Sequence, residues 1–181
     1  MVTMRERRKA GEERQVLVAG VGNVLHGDDG FGVAVVQQLA LRPDLPLTVN
    51  VIEVGIGGIS LVQELLDGYD VLMVVDAVDR GGAPGTIYLL EMQVPDLAQW
   101  SLDQRQDFLA NMHMTTPSRA LILARALGVL PPAVYIFGCQ PTTCDDLIIG
   151  LSEPVERAVA LSVERLIDEL RQLTSVPTYN Y

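Results

Sequence analysis

Residues Val16–Gly32, VLVAGVGNVLHGDDGFG, constrain the fold more than any other stretch of the chain. Val16–Ala19 reads as a short apolar strand, Gly20-Val21-Gly22-Asn23 turns it, and a helix opens near Asp28 or Asp29 and runs to about Leu41. A strand whose carboxyl end turns into a helix amino end is the ligand-binding corner of an open α/β sheet. Two chemistries suit such a corner. Glycine backbone can cradle a phosphate, and carboxylates can hold a metal ion.

The rest of the chain supplies the sheet. Leu47–Val54 is a second strand, closing at Gly55-Ile56-Gly57-Gly58, and Ile59–Leu66 is a short helix. Asp70–Asp76 (DVLMVVD) is the most buried in character and ends on an aspartate. Thr86–Glu91 is a fourth strand; no helix fits between it and the third, so that pair is expected to be antiparallel. Residues 92–116 carry little pattern, although Asp96–Phe108 can hold a helical turn or two. Thr116-Pro117 starts a helix that reaches Leu127, with Thr at the N-cap and Pro at the first helical position. Ala133–Gly138 is the fifth strand, and a last helix runs from Ser152 to about Leu173 with an apolar stripe at helical period. This order predicts a three-layer α/β/α sandwich around a five-stranded, mostly parallel mixed sheet. One domain is expected over residues 15–175, with residues 1–14 a flexible tail and residues 176–181 frayed.

Composition narrows the partners. The 181 residues are 49% hydrophobic, with no apolar run near the roughly 18 residues that span a bilayer. A soluble protein is expected. The net charge is −10, and beyond the basic first 14 residues the body carries eight basic and 20 acidic side chains. Such a body repels nucleic acid and anionic membranes and favours a cationic partner or a metal ion. Two cysteines, Cys139 and Cys144, make no disulfide framework and point to the reducing cytoplasm. Their spacing is wrong for the common C-x-x-C motifs, so they read as buried or incidental thiols.

The acids decide between the two chemistries. Asp29 follows strand one and Asp76 ends strand three; if those strands are neighbours, both carboxylates face one crevice. Acids near a helix amino end are also stabilised by the helix dipole, by roughly 0.3–1 kcal/mol each, so one of Asp28 and Asp29 needs no further role. Asp76 has no such excuse: a carboxylate ending an apolar strand must find water, a donor or a cation. Only two histidines exist, His26 and His113, and a loop histidine is more often solvated than a ligand. Two carboxylates with an imidazole would suit zinc, nickel or a similar divalent ion. The phosphate reading is weaker, because G-x-G-x-x-G fails at Leu25 and acids stand where a phosphate needs donors.

Taken together, G-V-G-N-V-L-x-x-D-D-G-x-G (Gly20–Gly32), Asp76 in V-V-D-A, the downstream His113 and F-G-C-Q-P (Phe137–Pro141) resemble the hydrogenase maturation endopeptidases. That family trims the C-terminal extension from the large-subunit precursor of [NiFe] hydrogenases, and the resemblance covers about residues 15–173. It implies Asp29, Asp76 and His113 as the metal-site and catalytic positions. The first of these is Glu in some members, and Asp here shortens the ligand by one methylene. The family's D-G-G-T-x-G run corresponds to Glu53–Gly58, where two glycines align, the acid is Glu and the Thr is lost to Ile; Gly55 and Gly58 are the implied substrate-handling positions.

On this resemblance the precursor brings the nickel, the three ligands grip it to test whether insertion is complete, and zinc or cadmium could occupy the same site. Asp28 or Asp79 is then available as base or substrate contact. The alternative is a non-catalytic nickel- or precursor-binding chaperone, with a dinucleotide-dependent oxidoreductase a distant third.

Overall fold

A computed structural model describes residues 13–110, 116–144 and 147–175. The strands are β1 (Val16–Val21), β2 (Val49–Gly55), β3 (Val71–Ala77), β4 (Ile87–Glu91) and β5 (Ala133–Cys139). The helices are α1 (Phe31–Leu39), α2 (Gly58–Glu64), α3 (Leu102–Ala110), α4 (Pro117–Ala126) and α5 (Glu153–Thr174). One mixed sheet has the order β2-β1-β3-β5-β4, parallel except for β4.

The period of two along the strands sorts the core into two layers. Val16, Val18, Met73 and Val75 face α1 and α5, while Leu17, Ala19, Leu72 and Val74 face α2 and α4. Both faces of β1 and β3 are therefore buried, which is why these strands read as continuous apolar runs. The long helix α5 buries Val155, Val159, Val163, Leu166 and Leu170 as the stripe predicts. No helix among the described residues is long and apolar enough to cross a membrane.

Two expectations are corrected. The fourth strand is antiparallel, but its partner is β5, in register from Ile87 opposite Cys139 to Glu91 opposite Tyr135. Every position of β3 from Val71 to Val75 is buried, so this strand needs a neighbour on each side, and β1 and β5 fill those places. The half-buried β4 takes the edge. The first helix also begins later, at Phe31, after a 3₁₀ turn over Gly27–Gly30. Neither aspartate side chain caps it; both are used elsewhere.

Backbone contact fixes the start of α1 over the strand ends. A Cβ on Gly32 would stand 2.1 Å from the carbonyl oxygen of Val75 and 2.2 Å from that of Val21. A Cβ on Gly20 would stand 2.6 Å from the Gly32 carbonyl oxygen. The glycines of the opening stretch thus serve helix-on-sheet packing rather than a phosphate. Gly32→Ala should destabilise the fold by about 3 kcal/mol, at the upper end of overpacking costs, because main chain must move. Gly57→Ala, with nothing within 4 Å of its Cβ, is the control, expected within about 1 kcal/mol. Urea midpoints of the two variants check this.

Candidate functional site

The site forms where β1 and β3 end side by side. Gly20 pairs with Val75, so Asp76 lies one step beyond the last β1–β3 register pair. From Val21 the chain turns at Gly22, whose φ of +127° suits only glycine and whose missing Cβ leaves room for the Asp29 carbonyl, which it would otherwise meet at 1.8 Å. Asp29 is folded back on this turn, its Oδ2 accepting from the Asn23 N–H at 2.8 Å. Gly22 N–H also donates to the Gly55 carbonyl at 3.1 Å, drawing the end of β2 into the same corner. Gly58 begins α2 and is buried.

Asp76 is raised by its surroundings. Burial raises the Asp76 carboxyl first and the negative charge of Asp29 adds to it, against a hydrogen bond from the Ala77 N–H; together they push it up to about 7. That bond measures 2.8 Å. No ion pair reaches either carboxylate among the described residues. His113, expected as the third ligand, lies outside the described residues, and among those described no group of three His, Cys, Asp or Glu side chains could hold a metal ion.

Asp28 faces the other way. It is 2% exposed, and its carboxylate accepts from Ser152 N–H at 2.6 Å, Thr142 N–H at 2.7 Å and Ser152 Oγ–H at 2.8 Å. Burial opposes its charge, but these bonds outweigh it and hold the carboxyl below the usual range. The Gly27 N–H donates to the Ile148 carbonyl at 2.7 Å, and His26 Nδ1 lies 3.3 Å from the Cys144 carbonyl. His26 and Asp28 therefore bind the β1–α1 loop to the loop between β5 and α5. The carboxylate expected as a spare base is committed to this joint.

Asp79 is exposed, with hydrogen bonds from Gln140 Nε2 and Gly81 N–H holding it below the usual carboxylate range. Gln140 is the residue that sequence reasoning left without a role. It is buried; its Oε1 accepts from Arg80 N–H at 2.8 Å and Gly82 N–H at 3.1 Å, and its Nε2 donates to Asp79 at 2.8 Å. One side-chain amide thereby shapes the turn that follows Asp76. The signal was present in F-G-C-Q-P, where Gln stands directly after a buried strand. The neighbouring Cys139 thiol is pushed up to about 11 by burial and by the Asp28 charge, which makes it a poor nucleophile at neutral pH.

A cavity of about 720 Å³ lies at the other end of the sheet beside Glu91, Val134 and Arg125 and includes none of these residues. Asp29 and Asp76 lie on the opposite, carboxyl edge of the sheet.

The class is that of a small doubly wound α/β domain with two carboxylates at the carboxyl edge of its sheet. Comparison with known proteins narrows the class. The hydrogenase maturation protease family matches residues 33–169, and the chain belongs to that family. The hydrogenase expression/formation protein HupD of Rhodobacter capsulatus is 32% identical over 162 residues, covering 90% of this chain and 74% of that protein. The hydrogenase maturating endopeptidase HybD from Escherichia coli superposes with a TM-score of 0.68 at 29% identity, covering 87% of this chain and 93% of that one. A hydrogenase 2 maturation peptidase from a Thaumarchaeota archaeon gives 0.62 at 34% identity, covering 87% and 98%. A protease role in hydrogenase maturation follows from the family, and the expected five-stranded mixed sheet is the fold of these structures.

The raised Asp76 carboxyl has a consequence for the metal-free protein. Its folded value of about 7 exceeds the ordinary 3.8, so the folded state binds the proton more tightly. Stability is full below about pH 4 with respect to this group and is lost as pH rises toward 7 and above. The loss is at most about 4 kcal/mol, at about 1.4 kcal/mol per pH unit. Asp76→Asn should flatten that slope in chelator and raise the urea midpoint at pH 8. An unchanged slope would show that Asp76 is not strained by its surroundings.

Proposed function

We propose that this protein is the endopeptidase that removes the C-terminal extension of a [NiFe] hydrogenase large-subunit precursor after nickel insertion. On this reading Asp29, Asp76 and His113 grip the nickel that the precursor carries, so that only a loaded precursor is cut. The observation that carries it is Asp76 at the end of β3, whose ionisation is opposed by burial and by the charge of Asp29 on the turn after β1, with no described side chain to neutralise the two. A divalent cation would relieve that repulsion and hold Asp76 deprotonated. Two oxygen donors and an imidazole suit nickel, and also zinc or cadmium.

The chain's own groups have distinct parts in this proposal. Asp29 is aimed by the Asn23 N–H, which occupies one of its oxygens and leaves the other for the cation. Asp76 is half-buried and offers one oxygen beyond that bonded to Ala77 N–H. The bound ion would polarise the scissile carbonyl or activate water. Asp28 fits the role of base poorly, since three donors already hold it. Asp79, exposed and deprotonated, has its bonds on Oδ1, which leaves Oδ2 to take a proton. The acidic body suits a cation-bearing substrate.

The test is processing of a nickel-loaded, C-terminally extended precursor. Wild-type protein should shorten it, and Asp29→Asn or His113→Ala should lower the rate by about 100-fold or more. Wild-type turnover in either variant would remove that residue from the ligand set. Precursor that binds and stays intact through prolonged incubation would leave the non-catalytic chaperone in place of the protease.

A further inference from the structure

The two edges of the sheet are built differently. At one edge β2 exposes Asn50 and Glu53, polar side chains of the kind that blunt an edge strand. At the other edge β4 reads Ile87-Tyr88-Leu89-Leu90-Glu91 and carries no charge before its last residue. Ile87 and Leu89 face the α5 layer, and Tyr88 and Leu90 the opposite one. All four are only half-buried, so neither helical layer reaches fully over this strand. An edge that is apolar on both faces and has neither Lys nor Pro is a template for another strand.

The register fixes which backbone groups face outward. Met92 N–H donates to the Val134 carbonyl at 2.8 Å, and Gln140 N–H to the Thr86 carbonyl at 2.8 Å. Even-numbered residues of β4 therefore bond to β5, while Ile87, Leu89 and Glu91 turn their N–H and C=O groups away from it. Among the described residues no hydrogen bond takes up those groups. The apolar strip continues onto α5. A Cβ on Gly85 would meet the Pro154 carbonyl oxygen at 2.6 Å, and the Arg165 guanidinium stands 5.8 Å from the centre of the Phe137 ring, so one flank of α5 lies toward β5 and β4. Leu161, one helical turn before Arg165 on that flank, is 65% exposed.

This strand matches a copy of itself. An antiparallel two-fold pair centred on Leu89 sets Leu89 opposite its own mate and Ile87 opposite Glu91 of the second copy. These are the outward-facing positions, so each pair exchanges backbone hydrogen bonds. Between them Tyr88 stands opposite Leu90 of the second copy, and Leu90 opposite Tyr88, which are favourable aromatic–aliphatic cross-strand pairs. The two Glu91 residues fall at opposite ends, four residues or roughly 13 Å apart along the strand, beyond the Debye length of about 8 Å at physiological salt. No like charges face each other. We propose that β4 pairs with β4 of a second copy of this chain, joining two five-stranded sheets into one of ten strands. The carboxyl edges of the two copies then point in opposite directions, and each Asp29–Asp76 corner stays open. This pairing needs no substrate and holds whether or not the protein cuts one.

The centre of the pair allows a charge-swap test. Leu89→Lys brings two ammonium groups together at the two-fold and Leu89→Glu two carboxylates, whereas an equimolar mixture of the variants sets opposite charges face to face. Analytical ultracentrifugation of the full chain over a concentration series should show wild type passing from monomer to dimer. The dimer Kd should rise at least about tenfold in each variant alone and fall back toward wild type in the mixture. Leu127→Lys, after α4 and 58% exposed, should leave it unchanged. Urea midpoints report whether the variants fold, and hydrogen exchange on wild type needs no variant. The outward amides of Leu89 and Glu91 should exchange more slowly in concentrated than in dilute solution, while those of Tyr88 and Leu90, already bonded to β5, should change little. A chain that stays monomeric at every concentration, a dimer that both charged variants leave intact, or a mixture no tighter than either variant alone overturns the inference. Slowing of the outward amides only on adding a hydrogenase precursor would make a precursor segment the occupant and overturn it as well.

Discussion

Main chain packed against main chain at the start of α1 is the contact on which the rest of this structure depends. Gly32 lies on the carbonyls of Val21 and Val75, and Gly20 and Gly22 admit the helix turn from below. No side chain fits between these segments, so the helix start is placed by backbone geometry alone. That placement decides where a side chain on the turn just before the helix can go. Asp29 returns toward the ends of β1 and β3, where Asp76 waits one residue past the shared register. A helix start lifted by the width of one methyl group would carry the first carboxylate away from the second, and their interaction would fade with distance.

Adjacent residues on that turn do opposite things. Asp28 and Asp29 are chemically identical and consecutive, yet one is saturated by donors in a buried joint and the other is held by a single N–H beside another carboxylate. In a 3₁₀ turn successive side chains point about a third of a revolution apart. One aspartate therefore faces the β5–α5 loop while its neighbour faces the strand ends. Hydrogen bonding keeps Asp28 charged at any physiological pH, whereas burial and like charge keep Asp76 close to neutrality. The same side-chain chemistry is thus divided between a structural anion, Asp28, and a carboxyl, Asp76, that burial and a neighbouring charge hold back from ionising.

What the sequence made legible follows from which forces are local. Strand β3 is a run of buried residues ending on a carboxylate, and its place beside β1 follows from the doubly wound pattern. Helix α4 announced itself through Thr116 and Pro117, and the Arg119 N–H does donate to the Thr116 hydroxyl, at 3.4 Å. The partner of β4 was not legible, because pairing across a sheet is settled by which strand needs two neighbours and not by the sequence near the turn. The roles of Asp28 and Gln140 were hidden for a related reason. Each is defined by backbone donors far along the chain: Thr142 and Ser152 for Asp28, Arg80 and Gly82 for Gln140. Local propensity carries no trace of such bonds. The third expected ligand, His113, lies outside the described residues, so the candidate site is seen here through its two carboxylates.

Gln140 and Asp28 together suggest how a domain with so little irregular structure can hold a site on three loops. Each is a buried polar side chain at a joint with the loop between β5 and α5: Gln140, at the start of that loop, reaches to the turn after β3, and Asp28, on the turn after β1, reaches to Thr142 and Ser152 near the loop's two ends. The loops are thereby referred to the rigid sheet rather than to one another's flexibility. A buried polar group that is fully bonded fixes one arrangement, because any alternative strands a donor or acceptor without water. An amide satisfies both carbonyl and N–H partners, which suits the mixed donors and acceptors around Asp79. A carboxylate only accepts, which suits the donors that converge on Asp28. The choice of Gln at one joint and Asp at the other is thus set by the partners each must satisfy, and between them the two joints keep Asp76 and Asp29 facing one crevice.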